Sequence, residues 1–317
     1  MRDEKPYISI VSPVYQAQGI VDELVKRIKE DVNRINENYE IILVEDGSSD
    51  QSWKKIEANC ISDKRVKGIK LSRNFGQHYA ITAGLKESRG DYVVVMDCDL
   101  QDNPKYIIDL INKSKEGYDI VLTTHTIRKH GKLKKIISAI YHYLFNWLVS
   151  SKNLEGGMQF SALSLLSRKA VKAFESYNDY HRQYLTIIRF LGFSTTYLPV
   201  EHEERFEGKS SYDYKKLIQL AIDGIVSNSE KLLKTTIYTG FSFALIALIA
   251  IIYIVIISIK SGFQPGWAST TVLIVFCTGL ILISLGIIGI YIGKIFEQTK
   301  GRPLYLIDKK INIDTIK

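Results

Sequence analysis

The sequence contains few cysteines, 3 in 317 residues. Cys60, Cys98 and Cys277 lie far apart and fit neither a disulfide framework nor the paired spacing of a zinc site. Glycine-rich phosphate loops are also missing, because no G-x-G-x-x-G follows the first predicted strand and no G-x-x-x-x-G-K-[ST] occurs. These absences exclude a disulfide-stapled secreted domain, a zinc module, a dinucleotide-binding enzyme of the usual type and a P-loop NTPase.

Two long stretches lack any charged residue. Residues 235–259 and 270–293 consist mainly of Ile, Leu, Val, Phe, Ala and Gly. At about 1.5 Å per residue of helix, each can cross a hydrocarbon core of about 30 Å. They predict two transmembrane helices, because uncharged runs of this length are rare in the buried helix pairs of soluble proteins. The N-terminus, MRDEKPY, has no apolar run and predicts no cleavable signal.

Acidic residues are the minority charge, with 34 Asp and Glu against 42 Lys and Arg and a net charge of +8. Nucleic acid and the anionic surface of a membrane are the common partners of a basic protein. The apolar stretches favour the membrane and argue against nucleic acid. The basic residues that flank them are Lys231, Lys234, Lys294, Lys300, Arg302, Lys309 and Lys310. Because only Lys260 lies between the stretches, the positive-inside rule predicts a multi-pass protein of the cell membrane with both termini in the cytoplasm.

Two further segments suit a membrane surface. Residues 213–234 alternate aliphatic residues with Lys, Gln and Asp, which predicts an amphipathic juxtamembrane helix lying on the bilayer. A helix packed on the protein core would show the same pattern. Residues 128–135 carry a basic run that could meet anionic headgroups, and a solvated helix face is the alternative.

The first third of the chain alternates strand and helix patterns. Apolar runs at 9–14, 40–44, 66–71 and 92–96 read as buried strands, and the segments between them show helical spacing. Further strands are predicted at 119–123 and 193–200. This alternation predicts an α/β protein with a mostly parallel sheet, in which ligands bind at the carboxyl ends of the strands.

Carboxylates follow the strand at 92–96 directly. Asp97, Asp99 and Asp102 come in quick succession, with Gln101 among them. Two carboxylates on one turn form a hard oxygen site of the kind that Mg²⁺ or Mn²⁺ occupies while it also holds substrate phosphates. An acidic, solvated turn before Pro104 is the alternative, since short acidic motifs are common.

The loops after the other strands supply complementary groups. The first offers Pro13 and Tyr15, the second Glu45 and Asp46, and the third Arg73. A carboxylate can bind a planar base by hydrogen bonds while a metal held by the aspartates binds a diphosphate. The set therefore suits a nucleoside diphosphate whose phosphates are neutralised by metal and cations.

Four motifs carry a resemblance to a known family. They are SPVY at 12–15, VEDGSSD at 44–50, RNFG at 73–76 and DCDLQD at 97–102. Together they resemble the motif series of family 2 glycosyltransferases with the GT-A fold, and most closely the polyprenyl-phosphate glycosyltransferases. The segment at 201–212 resembles that group's R-x-x-G-x-S-x-Y segment, and residues 289–305 resemble its C-terminal end.

The resemblance implies a Rossmann-like GT-A catalytic domain at 1–212, a juxtamembrane helix at 213–234, a transmembrane hairpin at 235–293 and a cytoplasmic tail at 294–317. It implies inverting transfer of one sugar from a nucleotide sugar, most simply UDP-glucose or another UDP-hexose, to undecaprenyl or another polyprenyl phosphate for cell-envelope glycans. A homo-oligomer, a flippase and a downstream glycosyltransferase are implied as partners. The implied site residues are Asp97, Asp99 and Gln101 for the metal, Pro13, Tyr15, Glu45, Asp46, Arg73 and Asp97 for the donor, and Arg128, Arg205 and Ser210 for the acceptor phosphate.

The chain departs from relatives at several positions. Gln159 and Ser164 stand in a segment where relatives often carry an acidic residue and an arginine, with Glu155 as the nearby carboxylate. His125 and His202 stand where relatives often have a second arginine. Alternatives are a GDP-mannose-dependent mannosyltransferase, a membrane glycosyltransferase with a hydroxyl acceptor, and a nucleotide-sugar sensor without activity. A processive synthase should carry Q-x-x-R-W, which is absent.

Overall fold

Short runs rich in Val, Ile and Leu, each followed by a polar loop, fold as strands of one eight-stranded sheet. The residues that the computed structural model describes are 5–125, 159–201, 231–261 and 266–313. They divide into two compact units. The first contains the sheet and its flanking helices, and the second contains two long helices.

The sheet has the order β7-β5-β6-β4-β1-β2-β3-β8. Its strands are β1 (Ile8–Val14), β2 (Tyr39–Glu45), β3 (Val66–Leu71), β4 (Tyr92–Val95), β5 (Ile120–His125), β6 (Gln159–Ser167), β7 (Thr195–Val200) and β8 (Ile307–Ile311). Strands β1 to β4 pair in parallel, as do β5 and β7, whereas β6 and β8 run antiparallel to their neighbours. The predicted α/β class with a mostly parallel sheet is confirmed, and the first four predicted strands agree with the structure to within one residue at each end.

Helices cover both faces of the sheet. They are α1 (Val21–Val32), α2 (Ser52–Ser62), α3 (Gln77–Glu87), α4 (Ile107–Lys115), α5 (Arg168–Ser176) and α6 (Tyr184–Phe190), with a 3₁₀ turn at Pro104–Tyr106. Apolar residues of α1, α2 and α4 pack in one core cluster, and those of α3, α5 and α6 pack in a second. Along β1, Ile10 joins the first cluster and Val11 the second, because successive strand residues point to opposite faces. The first unit is therefore a three-layer α/β sandwich.

Two strands are absent from the sequence prediction. Strand β6, QFSALSLLS, lies between β4 and β5 and is largely buried. Its three serines lower the hydrophobicity of the segment, so the sequence pattern does not indicate a buried strand. Strand β8, IDKKI, carries three charged residues on the edge of the sheet beside β3. Charged residues are typical of edge strands, since they discourage pairing with other chains. In the sequence, this composition indicates a polar tail, and the strand was therefore not predicted.

The second unit consists of α7 (Lys231–Ser261) and α8 (Trp267–Thr299). The two helices contact each other, with the rings of Phe243 and Phe276 5.6 Å apart between centroids. Each contains a window long and apolar enough to cross a membrane, Leu233–Ala250 and Phe276–Thr299, and neither window is buried. The helical character of residues 235–259 and 270–293 is confirmed, and their insertion in a membrane stays a prediction.

Candidate active site

The carboxyl ends of four parallel strands meet at one edge of the sheet. Val14 of β1 pairs with Glu45 of β2, which pairs with Lys70 of β3. On the other side of β1, Val11 pairs with Val95 near the end of β4. The loops that carry Tyr15, Asp46, Arg73 and Asp97 therefore leave the same edge, as the sequence predicts for a ligand site.

Asp46 joins the loop after β2 to the loop after β3. Its two carboxylate oxygens accept hydrogen bonds from the backbone N–H groups of Phe75 and Gly76, each at 2.8 Å. The side chain is almost completely buried, and this burial raises the pKa of its carboxyl above the usual range. Asp46 thus shapes the loop 72–76, here called the arginine loop because it carries Arg73.

The remaining candidate donor-binding residues differ in exposure. Glu45 and Pro13 are buried, and one Glu45 oxygen accepts from the backbone N–H of Ser48. Its other oxygen, Oε2, is buried and has no hydrogen-bond partner among the described residues. Tyr15 is 44% exposed, and the exposed Arg73 guanidinium lies 4.1 Å from the ring centroid of Phe75. Tyr15 and Arg73 are therefore the members of this set that present their side chains at the surface.

The two candidate metal ligands occupy the loop after β4. Gln77 Nε2, on the first residue of α3, donates to Asp97 Oδ1 at 2.6 Å. Asp99 Oδ1 accepts from the backbone N–H of Gln101 at 3.1 Å. Between Asp99 and Gln101, buried Leu100 has a φ of 58°, a left-handed conformation that costs energy in a residue with a side chain. The loop is thus held in a strained turn that brings both carboxylates to the edge of the sheet.

The donor set fits a divalent cation that a substrate also ligates. Asp97 and Asp99 are both partly exposed and supply hard oxygen ligands. No group of three or more His, Cys, Asp or Glu residues that could hold a metal occurs in the described part of the chain. Mg²⁺ commonly binds through one or two carboxylates together with substrate phosphates and water, so a pair of aspartates suffices. Gln101 lies in the same turn, and its role as a third ligand stays a prediction.

Cys98 stands between the two aspartates. Burial, and to a smaller extent the negative charge of Asp97, raises the pKa of the Cys98 thiol to about 12. The thiol therefore remains protonated at neutral pH, and its side chain packs against the first core cluster. Cys98 is accordingly a packing residue of this loop.

Three side-chain contacts, those of Gln77, His78 and Asp102, were not predicted from the sequence. Gln77 is recognisable from the sequence only as a helix start, yet it orients Asp97. The next residue, His78, accepts from the backbone N–H of Tyr184 through Nδ1 at 3.4 Å, and burial lowers its pKa, which favours the neutral imidazole. Buried Asp102 accepts from the hydroxyl of Ser161 at the start of β6. The position of Gln77, directly after the loop 72–76 that follows β3, is the signal that could have revealed it.

The acceptor side of the predicted site falls mostly outside the described residues. Arg128, Arg205, Ser210, Glu155 and His202 all lie there. Their assignments rest on the sequence alone. Ser164 is described, and its hydroxyl lies 2.8 Å from that of Tyr184 and donates to the carbonyl of Ala162. It is therefore engaged in the core of the first unit.

The chain is similar in sequence to known glycosyltransferases. A sequence model named Glycosyl transferase family 2 matches residues 9–174. The uncharacterized glycosyltransferase YkcC of Bacillus subtilis (strain 168) is 34% identical over 311 residues, which cover 96% of this chain and 94% of that protein. The undecaprenyl-phosphate 4-deoxy-4-formamido-L-arabinose transferase of Shewanella sediminis (strain HAW-EB3) is 32% identical over 309 residues, with coverages of 95% and 91%.

A solved structure shares the fold. Glucosyl-3-phosphoglycerate synthase from Mycobacterium tuberculosis, crystallised with Mn²⁺, UDP-glucose and phosphoglyceric acid, matches with a TM-score of 0.52 and 16% identity. The match covers 70% of this chain and 78% of that one. At this identity the likeness concerns the fold, and the predicted GT-A architecture is confirmed.

Proposed function

This chain belongs to glycosyl transferase family 2, and from that premise we propose that it transfers one sugar from a nucleotide diphosphate sugar to a polyprenyl phosphate at the cytoplasmic face of the cell membrane. The observation that carries the proposal is the placement of Asp97 and Asp99 at the edge where the loops of four parallel strands meet. The undecaprenyl-phosphate transferases among its relatives, similar over almost the whole chain, support a lipid phosphate as acceptor.

On the donor side, Asp97 and Asp99 would hold Mg²⁺ or Mn²⁺ against the diphosphate. When bound, the ion would supply Lewis-acid stabilisation of the charge that develops on the departing nucleotide. Gln77 fixes Asp97 through its hydrogen bond at 2.6 Å, so that the carboxylate needs little reorganisation on binding. Arg73 and Tyr15, exposed on neighbouring loops, would contact the nucleotide directly, while buried Asp46 holds the arginine loop in place.

On the acceptor side, an oxygen of the lipid phosphate would attack C1 of the sugar as the bond from C1 to the diphosphate breaks. The products are a polyprenyl-phosphate sugar, inverted at C1, and a nucleoside diphosphate. A phosphate monoester has a second pKa of about 6, so the nucleophile is largely ionised at neutral pH. A strong general base is therefore unnecessary. Arg128, Arg205 and Ser210 are proposed to bind this phosphate.

The donor is proposed to be a UDP-hexose such as UDP-glucose, and GDP-mannose is the alternative. Purified full-length protein in detergent would be incubated with undecaprenyl phosphate, Mg²⁺ or Mn²⁺, and radiolabelled UDP-glucose, UDP-N-acetylhexosamine or GDP-mannose in turn. We expect label to enter the lipid fraction with one UDP-sugar and only when the lipid phosphate is added. Label that enters lipid equally without added undecaprenyl phosphate or with undecaprenol would contradict the acceptor, and transfer from GDP-mannose alone would correct the donor.

Arg205 separates a phosphate acceptor from a hydroxyl acceptor. A guanidinium that pairs with the lipid phosphate contributes about 1.5 to 3 kcal/mol, so Arg205→Ala should lower kcat/KM for undecaprenyl phosphate by roughly 10- to 100-fold. The affinity for UDP, measured by calorimetry, should remain close to that of the wild type. Arg205→Lys should restore only part of the activity, because an ammonium cannot reproduce a bidentate contact. Normal acceptor kinetics in Arg205→Ala, or equal loss of donor and acceptor binding, would refute the assignment.

A further inference from the structure

Strand β8 follows both long helices in sequence, yet it belongs to the sheet of the first unit. It pairs antiparallel with β3, with Ile307 opposite Leu71 and Lys310 opposite Ile69. Strand β7, which precedes the long helices in sequence, forms the other edge of the same sheet. In the sequence, the segment that contains α7 and α8 therefore lies between the two strands that form the edges of this sheet.

The edge of the sheet where the loops after β1 to β4 meet is here called the strand-end site, and the end of β8 far from it is anchored by specific bonds. Asn312 adopts a left-handed conformation with φ of 57°, and its side-chain amide donates to the carbonyl oxygens of Cys60 at 2.7 Å and Val66 at 2.9 Å. Lys310 pairs with Glu87 of α3 at 2.7 Å. These contacts show that β8 is an integral strand of the first unit and has a defined register on β3.

The other end of β8 reaches the arginine loop. The carbonyl oxygen of Leu306 accepts from the backbone N–H of Ser72, the first residue of that loop, at 2.9 Å. Beside it, Tyr305 packs against the second core cluster, as does Phe75 of the arginine loop. Burial raises the pKa of the Tyr305 phenol to about 12, so the ring is a neutral packing group at every physiological pH.

The arginine loop is thus fixed from two sides. At its start, Leu306 holds Ser72; at its end, Asp46 holds the N–H groups of Phe75 and Gly76. Gln77 follows at once and holds Asp97. A displacement at Ser72 would therefore be transmitted over a few residues to the carboxylate that is proposed to bind the metal.

We propose that Tyr305 and strand β8 are positioning elements of the donor site, which hold the arginine loop so that Arg73 and Gln77 are in place before the nucleotide binds. This inference rests on the proposed function, which puts the donor at this edge of the sheet. A loop ordered beforehand loses less entropy on binding, so its release should weaken donor affinity more than turnover at saturating donor. The catalytic unit would then depend on a segment that is made only after α8.

The test uses the full-length protein in detergent with two readouts. Hydrogen exchange by mass spectrometry would follow the amides of 72–77 and of 306–311, and calorimetry would follow UDP binding in the presence of Mn²⁺. In Tyr305→Ala we expect faster exchange in both segments and UDP affinity about tenfold weaker, because loss of the Tyr305 ring should release the hydrogen bond between Ser72 and Leu306. The donor KM should rise while kcat stays near its wild-type value, and Tyr305→Phe should behave like the wild type.

Asn312→Ala is the matched control, because it releases the same strand at the end away from the arginine loop. It should speed exchange near residue 311 and leave UDP affinity close to the wild-type value. Ile307→Asp places a charge against the core cluster and serves as a second variant that releases the near end. UDP affinity and loop exchange that stay unchanged in both Tyr305→Ala and Ile307→Asp would overturn the inference, as would equal losses in Tyr305→Ala and Asn312→Ala. Wild-type protein that bound neither UDP nor GDP would contradict the proposed function, and the exchange comparison would still decide whether β8 orders the loop.

Discussion

Asp99→Asn is expected to reduce the rate of sugar transfer by about 1,000-fold, because electrostatic stabilisation by a catalytic metal is worth several kcal/mol and each 1.4 kcal/mol is tenfold in rate. The amide has nearly the same size as the carboxylate but removes the negative charge that attracts a cation. It keeps an oxygen that can accept from the backbone N–H of Gln101, so the strained turn should persist. The protein should therefore fold and insert normally while Mn²⁺-dependent binding of UDP is lost.

Asp109→Asn provides the matched control for this substitution. Asp109 is an exposed aspartate in the first turn of α4, so its change alters net charge equally without touching the strand-end site. Transfer should be close to the wild-type rate in this variant and should fall in all variants when EDTA is added. Full activity of Asp99→Asn, or activity of the wild type that EDTA does not reduce, would remove the metal from the mechanism.

The sequence was informative about the site because each motif lies at or just after the carboxyl end of a strand. Buried parallel strands are continuous apolar runs, and the polar residues that end them, such as Asp46 and Asp97, must lie together once the strands pair in parallel. The sequence did not predict which of these residues stabilise the loops and which are exposed to a ligand. Both oxygens of Asp46 are bound to the arginine loop, whereas Arg73 remains exposed, and this difference follows from the three-dimensional structure alone.

The antiparallel strands escaped prediction for physical reasons. Strand β6 contains buried serines whose hydroxyls are satisfied by specific partners, Asp102 for Ser161 and Tyr184 for Ser164, so hydrophobic patterning underestimates its burial. Strand β8 lies on an edge, where charged residues are favourable, and its place beside β3 depends on contacts far apart in sequence. Long-range pairing of this kind leaves little trace in local composition, and it is the source of the inference about Tyr305.

Gly47→Ala should disrupt the donor site through the backbone alone. Gly47 has φ of 66°, and a Cβ there would lie well inside van der Waals contact with the backbone nitrogen of Asn74 and 2.8 Å from the Cα of Arg73. Left-handed strain and steric overlap together should cost about 2 to 5 kcal/mol of unfolding free energy. Since the arginine loop must move to accept the methyl group, we also expect UDP affinity to fall by at least tenfold, the equivalent of about 1.4 kcal/mol.

Gly192→Ala separates the two contributions to that effect. Gly192, between α6 and β7, has a similar φ of 70°, but a Cβ there meets no atom within 4 Å. It should therefore incur only the left-handed strain, about 1 to 2 kcal/mol, and leave UDP binding intact. Thermal unfolding and calorimetry on both variants give the comparison. If Gly47→Ala loses no more stability than Gly192→Ala and binds UDP normally, the close approach of the loops after β2 and β3 is not required for the donor site. A larger loss that is confined to Gly47→Ala would instead identify that approach as the reason why glycine follows Asp46.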